Sequence, residues 1–304
     1  DYLLGQAYSA LDQPDQAQQA YLDAVENYPL SYDSYLALVE LVESEYPVNE
    51  LDRGLVDYFA GQYSRAIEAF DRYLANPEAG DPGTAYYYKG QAHRRTGDHQ
   101  NALQAWGILM DEYPEHDYWD EAWEYTAFTQ WYHLGQDAEA IQTLLDFVDA
   151  NAYHNRAAEF LFDAARISER TDELQQAADL WQRVHRDYPT SSYANRALFL
   201  EGITYVRLDK LPEALSAFDT YQEASRSLEE ESQALFWLGK THKLSGDQEA
   251  SQAAWRQAAN TDPTGYYSER ARDLLQGRTP FQPPQEYDFG YDVAEERRQA
   301  EQWM

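Results

Sequence analysis

Five aromatic residues recur at a fixed interval and could together form a binding stripe. Successive members are 37 or 38 residues apart, and the five are Tyr87, Tyr125, Phe162, Phe199 and Phe236. Aromatic faces stack on sugar rings and on peptide side chains, so a stripe on an inner surface could bind either. Burial of the rings between adjacent structural units is the alternative explanation, and aromatic side chains more often serve that purpose.

Basic residues are scarce in this chain, and some of them follow the aromatic residues closely. There are 23 Lys and Arg against 54 Asp and Glu. Four cations stand four to eight residues after a member of the stripe, namely Arg94, Arg95, Lys240 and Lys243. They are candidate partners for the carboxylates of a ligand. Since an exposed ion pair contributes only ~0–1 kcal/mol, binding should depend more on the rings than on the charges.

No arrangement of residues indicates catalysis or metal binding. Carboxylate pairs occur throughout the sequence, and runs such as residues 229–231 and 111–121 are most simply solvated surface. The second run lacks the alternating ligands and the glycine of a calcium loop. There is no Cys, and no nucleophile elbow or phosphate-binding loop is present. We therefore predict that this chain is not an enzyme and that it requires no cofactor or metal.

Composition excludes two further classes of function. The net charge of −31 would repel a phosphate backbone, so nucleic-acid binding is not expected. The mean hydropathy of −0.77, without an apolar run near twenty residues, argues against a membrane span. Hydrophobic residues make up 43% of the chain and aromatic residues 15%, which is enough for a folded core.

The elements that position the aromatic residues form a repeat of about 37 residues. Tyr-Pro or Asp-Pro pairs recur at its ends, at positions 28–29, 113–114, 188–189 and 262–263. Within each repeat a small residue precedes a large one by four positions, as in Ala102/Trp106, Ala177/Trp181 and Ala214/Phe218. Helix breakers such as Gly97, Gly135 and Gly246 divide each repeat. This pattern predicts stacked helix pairs, each of which needs its neighbours to bury its apolar stripe.

Three departures from the repeat predict local irregularities. An extra helix is expected near residues 31–46, and a single capping helix is expected over residues 265–276. The fourth repeat has Phe128 where most others have Gly, which predicts a wider contact between its helices. We expect a repeat domain over residues 1–277. A Pro-rich linker and the start of a following helix or domain are expected over residues 278–304.

A repeated glycine motif is the basis of a resemblance to a known repeat family. Its copies are Leu4-Gly5-x-x-Tyr8, Lys89-Gly90-x-x-His93, Glu201-Gly202-x-x-Tyr205 and Leu238-Gly239-x-x-His242. With the small and aromatic pairs, these motifs resemble the tetratricopeptide repeat. The resemblance implies an all-α fold, an α-solenoid of about seven tetratricopeptide-like helix pairs that forms a right-handed superhelix.

A second resemblance concerns residues 263–271, with the sequence Pro-Thr-Gly-Tyr-Tyr-Ser-Glu-Arg-Ala. This segment is similar to one in soluble lytic murein transglycosylases of bacteria, where it precedes a linker and the catalytic domain. The resemblance implies a non-catalytic scaffold that shapes access for peptidoglycan glycan strands and supports a catalytic domain outside this chain. It also implies export to the periplasm or cell envelope. The family's Glu-Ser motif is absent, so no catalytic residue is assigned.

The alternative function is a scaffold that binds a protein or peptide in a bacterial envelope complex. The connector over residues 187–194, Asp-Tyr-Pro-Thr-Ser-Ser-Tyr-Ala, looks like the repeats of bacterial envelope proteins. A cytosolic adaptor is a third possibility. The chain starts at Asp1 inside a helical pattern, so it is expected to be part of a longer protein. The segment after Met304 of the parent would discriminate between these functions.

Overall fold

A computed structural model describes residues 1–76, 78, 80–279 and 298 of the chain. Two compact units are present, residues 1–194 and residues 195–304. Helices of the first unit are α1 (Tyr2–Ala10), α2 (Pro14–Asn27), α3 (Tyr32–Glu43), α4 (Glu50–Phe59), α5 (Tyr63–Leu74), α6 (Pro82–Thr96), α7 (His99–Glu112), α8 (Trp119–Phe128), a π-helical turn (Thr129–His133), α9 (Asp137–Ala150), α10 (Ala157–Arg170) and α11 (Leu174–Asp187).

The second unit continues with five helices among its described residues. They are α12 (Ala194–Arg207), α13 (Leu211–Glu223), α14 (Leu228–Leu244), α15 (Gln248–Thr261) and α16 (Tyr266–Leu275). No strand occurs in the described part of the chain, and none of its helices is long and apolar enough to cross a membrane. Most of the predicted linker, residues 280–297 and 299–304, lies outside the described residues, as does Pro77.

Seven helix pairs account for fourteen of these helices, which confirms the expected all-α solenoid of helix pairs. Each pair is joined by a turn with one residue at positive φ. Glycine occupies this position at Gly61, Gly97, Gly135 and Gly246, and aspartate occupies it at Asp12, Asp172 and Asp209. Only glycine and short polar side chains adopt this left-handed conformation readily, so the turn position limits the residue types it accepts.

A large side chain of the second helix fills the space over a glycine of the first helix. Gly90 lies against the indole of Trp106 and Gly239 against that of Trp255, and a Cβ at either glycine would overlap the ring. The Trp106 Nε1 donates a hydrogen bond to the Tyr87 carbonyl at 3.2 Å, and Trp255 does the same to Phe236 at 3.1 Å. The glycine therefore allows close approach of the two helices.

Small residues at the helix crossings are buried as predicted. Ala102, Ala177 and Ala214 are all fully buried, and so are the aromatic residues four positions later, Trp106, Trp181 and Phe218. Of the two helices outside the pairs, α3 lies inside the segment expected to hold an insertion, and α16 follows the last pair. The packing thus follows the 37-residue pattern everywhere except at α3 and in the fourth pair.

Candidate functional site

The fourth helix pair exchanges the sizes of the two residues that make the close contact elsewhere. Phe128 on α8 stands at the glycine position, and Leu144 on α9 stands where the third pair has Trp106. The Phe128 ring cannot enter the contact, and its side chain remains 37% exposed. A cleft of about 140 Å³ lies here between α8, α9 and α10, where the sequence predicted a wider contact.

A π-helical turn continues α8 directly after Phe128. The Leu134 amide donates to the Thr129 carbonyl, five residues earlier, at 3.1 Å. π-Helical turns are rare and are concentrated at functional sites. This turn places Trp131 in the wall of the cleft, whereas Tyr132 stacks on Phe128 with 5.2 Å between ring centroids. Tyr132 is 66% exposed, so the two rings form an aromatic surface at the cleft rim.

The opposite wall of the cleft is one face of α10. Its residues follow helical spacing and are Phe160, Asp163, Arg166, Ile167 and Arg170. Phe160 and Ile167 are buried and line the apolar part of the cleft. The three charged residues stand at intervals of three or four positions, which places them along the same side of the helix.

Two arginines at this wall are only weakly engaged. The Arg166 Nη1 lies 3.9 Å from the Asp163 Oδ1, which is too long for a hydrogen bond. The Arg170 guanidinium lies over the Trp131 ring, 5.2 Å from its centroid. By contrast, Arg156 holds the cleft carboxylate Glu124 at 2.7 Å. Because Glu124 is already paired, Arg166 and Arg170 keep most of their capacity for an external acceptor.

The carboxyl group of Asp163 titrates near neutral pH. Its pKa is raised to about 6, mainly by burial and in smaller part by the carboxylates Glu159 and Glu124. Arg166 and Arg156 lower this pKa, but their effect is smaller than that of burial. Protonation of Asp163 would remove a negative charge beside Arg166, so the cleft becomes more electropositive as pH falls through this range.

The predicted aromatic stripe is placed in the packing between helices. In the first unit Tyr87 and Phe162 are 9% and 2% exposed, and in the second unit Phe236 is 7% exposed. Tyr125 and Phe199 are half-buried. A stripe available for stacking requires partly exposed rings along a continuous track, whereas the burial of Tyr87, Phe162 and Phe236 agrees with the alternative that the rings pack between structural units.

Contacts of these rings explain their burial. Tyr87 stacks on Tyr118 at 4.1 Å, Tyr125 stacks on Trp106 at 5.7 Å, and Phe162 contacts Trp181 at 4.8 Å between centroids. In the second unit Phe199 contacts Phe218 at 6.1 Å and Phe236 contacts Tyr267 at 5.7 Å. Their position, one turn before the close helix contact, directs the rings toward neighbouring helices. Ligand binding by Tyr125 and Phe199, the two half-buried rings, stays a prediction.

The four predicted cations also lie near aromatic rings. The Arg94 guanidinium lies 5.0 Å from the Tyr125 ring centroid and donates to the Gln91 Oε1 at 2.9 Å. Lys240 lies 3.8 Å from the Trp237 ring, and burial lowers its pKa. Lys243 lies 5.8 Å from the Trp255 ring, whereas Arg95 is exposed. Three of the four thus have an aromatic partner already, and their role toward a ligand stays a prediction.

The helix pairs match known repeat families. One model of the tetratricopeptide repeat matches residues 51–115, and a second model matches residues 1–31 and 159–191. The matched segments are tetratricopeptide repeats. The comparison with curated proteins gives no significant match.

Solved structures share this tetratricopeptide fold. The C-terminal part of a TPR repeat-containing protein from Cytophaga hutchinsonii has a TM-score of 0.56 and 13% identity, over 84% of this chain and 98% of that one. MamA aligns with a TM-score of 0.44 and 19% identity, over 67% of this chain and 100% of its own. PilW, described as a widely conserved type IV pilus biogenesis factor, aligns with a TM-score of 0.41 and 16% identity, over 73% of this chain and 96% of its own. At 13% identity, the likeness to the Cytophaga hutchinsonii protein shows the fold alone.

None of these matches is a lytic transglycosylase. The peptidoglycan role implied by residues 263–271 therefore gains no support from them. Among the described residues there is also no group of three or more His, Asp or Glu side chains arranged to hold a metal ion. In the first unit, the cleft of the fourth helix pair brings aromatic rings and charged side chains together.

Sequence analysis did not assign Phe128, Trp131, Arg166 and Arg170 to a site. The available signal was the missing glycine at position 128 together with the missing aromatic residue at position 144. An exchange of large and small residues within one repeat marks the place where an aromatic ring leaves the core.

Proposed function

We propose that this chain is a protein-binding tetratricopeptide scaffold. The cleft between α8, α9 and α10 would hold an apolar side chain of a partner peptide beside an acidic group. The observation that carries the proposal is an aromatic cleft bordered by Arg166 and Arg170, two weakly engaged arginines in an acidic chain. Aromatic residues and arginine are the residue types that dominate binding energy at protein interfaces.

The charge distribution restricts the partner further. The net charge of −31 would repel an acidic protein at long range and attract a basic one. Arg166 and Arg170 balance the cleft carboxylates Glu124 and Asp163 and offer hydrogen-bond donors to a carboxylate of the partner. A partner segment that is basic overall, with one acidic residue next to an apolar residue, satisfies both conditions.

The test is a titration of the chain with synthetic peptides of about ten residues. The reference peptide carries a central Leu-Glu pair between basic flanks, and two comparison peptides carry Leu-Gln and Ser-Glu instead. We expect the reference peptide to bind at least about tenfold more tightly than either, a difference of about 1.4 kcal/mol. Binding would be measured by calorimetry.

Variants of the cleft locate the binding. Phe128→Ala and the double variant Arg166→Gln/Arg170→Gln should weaken the reference peptide by about tenfold or more. Arg186→Gln is the matched control, because Arg186 is an exposed arginine of α11 that does not line the cleft. Equal affinity for all three peptides, or full affinity in the cleft variants, would contradict the proposal.

Membership of an envelope complex, binding of glycan strands and export are separate proposals. The first is supported by the likeness of residues 187–194 to repeats of bacterial envelope proteins. The other two are supported only by the likeness of residues 263–271 to transglycosylases.

A further inference from the structure

A second cleft opens beside α3, the helix that interrupts the regular pairs. It lies between α3, α4 and α5 and has a volume of about 360 Å³, within the size range of small-molecule sites. Its α3 wall is largely apolar and consists of Tyr35, Leu38, Val39 and Val42. Its α4 wall carries Arg53 and Asp57, and Arg65 of α5 completes the lining.

Asp57 is a buried carboxylate without a partner. It is 3% exposed and lines the cleft, and its carboxylate makes no hydrogen bond or ion pair with any described residue. A buried charge costs free energy unless another group satisfies it. Arg53, Arg65 and Arg72 attract this charge, but none of them forms a hydrogen bond or ion pair with the carboxylate, and a bound donor would supply that contact.

Arg53 stands one helical turn before Asp57 and is also incompletely satisfied. Its Nε is buried and has no hydrogen-bond partner in the described part of the chain. At the same cleft the Arg65 Nη1 approaches the Tyr35 hydroxyl at 3.4 Å, the long end of hydrogen-bond distances. The cleft therefore places a carboxylate without a hydrogen-bond partner next to the unpartnered Arg53 Nε, because residues four apart are neighbours on a helix.

We propose that this cleft binds a free α-amino acid with an apolar side chain. The ammonium group pairs with Asp57, the carboxylate pairs with Arg53 and Arg65, and the side chain lies against Leu38, Val39 and Val42. A fatty acid has no ammonium group to pair with Asp57, and a simple amine has no carboxylate to pair with the arginines. This site is separate from the peptide cleft between α8, α9 and α10, so either proposal can fail alone.

Asp57 also gives the site a characteristic pH dependence. Its pKa is raised to about 6, because burial and, to a smaller degree, Glu50 outweigh the opposing effect of Arg53, Arg65 and Arg72. On the α3 side the exposed carboxylate Glu43 and the Tyr35 hydroxyl complete the polar groups of the cleft. An ammonium ligand requires the ionised carboxylate, so affinity should fall by about tenfold between pH 7.5 and pH 5.

The experiment is calorimetry of the full chain with L-leucine at about pH 7.5 and about pH 5. N-acetyl-leucine, which lacks the ammonium group, and leucinamide, which lacks the carboxylate, are the comparison ligands. We expect leucine to bind and both analogues to bind at least about tenfold more weakly. Asp57→Asn should lose leucine binding by a similar factor and should lose the pH dependence.

Asp52→Asn is the matched control variant. Asp52 lies on the same helix and burial likewise raises its pKa to about 6, yet it does not line the cleft. It should bind leucine within about twofold of the unaltered chain. Arg53→Gln tests the carboxylate end independently and should weaken leucine more than leucinamide.

Folding of Asp57→Asn is checked by circular dichroism and thermal unfolding. Removal of an uncompensated buried charge should leave its unfolding temperature at about pH 7.5 no lower than that of the unaltered chain. The proposal is overturned if leucine does not bind at about 10 mM, or if Asp57→Asn binds it equally well. Binding of N-acetyl-leucine as tightly as leucine would also overturn it, because Asp57 would then have no role.

Discussion

The third and fourth helix pairs differ in which helix carries the aromatic residue at two equivalent positions. In the third pair Gly90 is on the first helix and Trp106 on the second, and the indole is fully buried with its N–H bonded to the Tyr87 carbonyl. In the fourth pair Phe128 is on the first helix and Leu144 on the second, and the Phe128 ring is 37% exposed beside a cleft.

The comparison shows how one exchange converts core surface into binding surface. A ring on the second helix fills the space above the glycine and stabilises the pair. A ring on the first helix has no such space, because Leu144 occupies the opposite position. The backbone after Phe128 then continues as a π-helical turn, which carries Trp131 into the cleft wall.

The largest expected difference between the two pairs is the loss of folding stability when the aromatic ring is removed. Trp106→Ala leaves a cavity in a fully buried site and should lower the free energy of unfolding by about 3–5 kcal/mol. Phe128→Ala removes a partly exposed ring and should cost less than about 1.5 kcal/mol. Urea unfolding followed by circular dichroism would measure both, and equal losses would mean that the two rings serve stability alike.

Restoring the regular pattern in the fourth pair should close the cleft. Leu144→Trp alone should destabilise the chain by about 1–3 kcal/mol, because the added indole overlaps Phe128. The double variant Phe128→Gly/Leu144→Trp should recover most of that loss, since the glycine makes room for the indole as Gly90 does.

A double-mutant cycle of unfolding free energies quantifies this exchange. The coupling between positions 128 and 144 should be about 1–3 kcal/mol in favour of the double variant. The double variant should also lose binding of the Leu-Glu peptide. Additive free energies, with no coupling, would show that the two positions do not share one space.

Substitution of the turn glycine should destabilise the third and fourth pairs equally. Gly97 and Gly135 have φ of 83° and 64°, and an added Cβ at either would have no atom within 4 Å. Gly97→Ala and Gly135→Ala should each destabilise by about 1–2 kcal/mol through backbone strain alone. Thermal unfolding would measure the two changes, and a much larger effect at one turn would indicate that the pairs differ beyond their aromatic positions.

The smallest predicted effect is the pH dependence of peptide binding at the fourth pair. Asp163 has a raised pKa of about 6, so it is largely neutral at pH 5.5 and ionised at pH 7.5. The Leu-Glu peptide should bind about two- to fivefold more tightly at the lower pH, because Arg166 then faces no competing carboxylate. Asp163→Asn should bind tightly at both pH values, and an unchanged pH dependence in that variant would assign the titration to another group.

Folding stability should follow the same titration and, like peptide binding, decrease as pH rises toward about 6. Because the folded-state pKa of Asp163 is raised, its protonated form favours folding, and this contribution is lost as pH rises through about 6. The contribution is absent in Asp163→Asn, so the difference in unfolding temperature between the two chains should increase with pH.

The sequence by itself determined the repeat and its turns. Helix pairs follow from a 37-residue spacing of small and large residues, and the left-handed position in the turn within each pair is Gly or Asp. Such features depend on contacts between residues close in the sequence, so their spacing can be recognised without coordinates. The missing glycine at position 128 likewise indicated the place of the cleft.

Only the tertiary structure decided which side chains are available for binding. Tyr87, Phe162 and Phe236 share their sequence position with Tyr125 and Phe199, yet the first three are buried and the last two are half-buried. Asp57 is one of 54 acidic residues, and nothing in its neighbourhood distinguishes it until α3 packs beside α4 and α5. Burial and missing partners result from residues that are distant in the chain, and the spacing of one repeat does not record them.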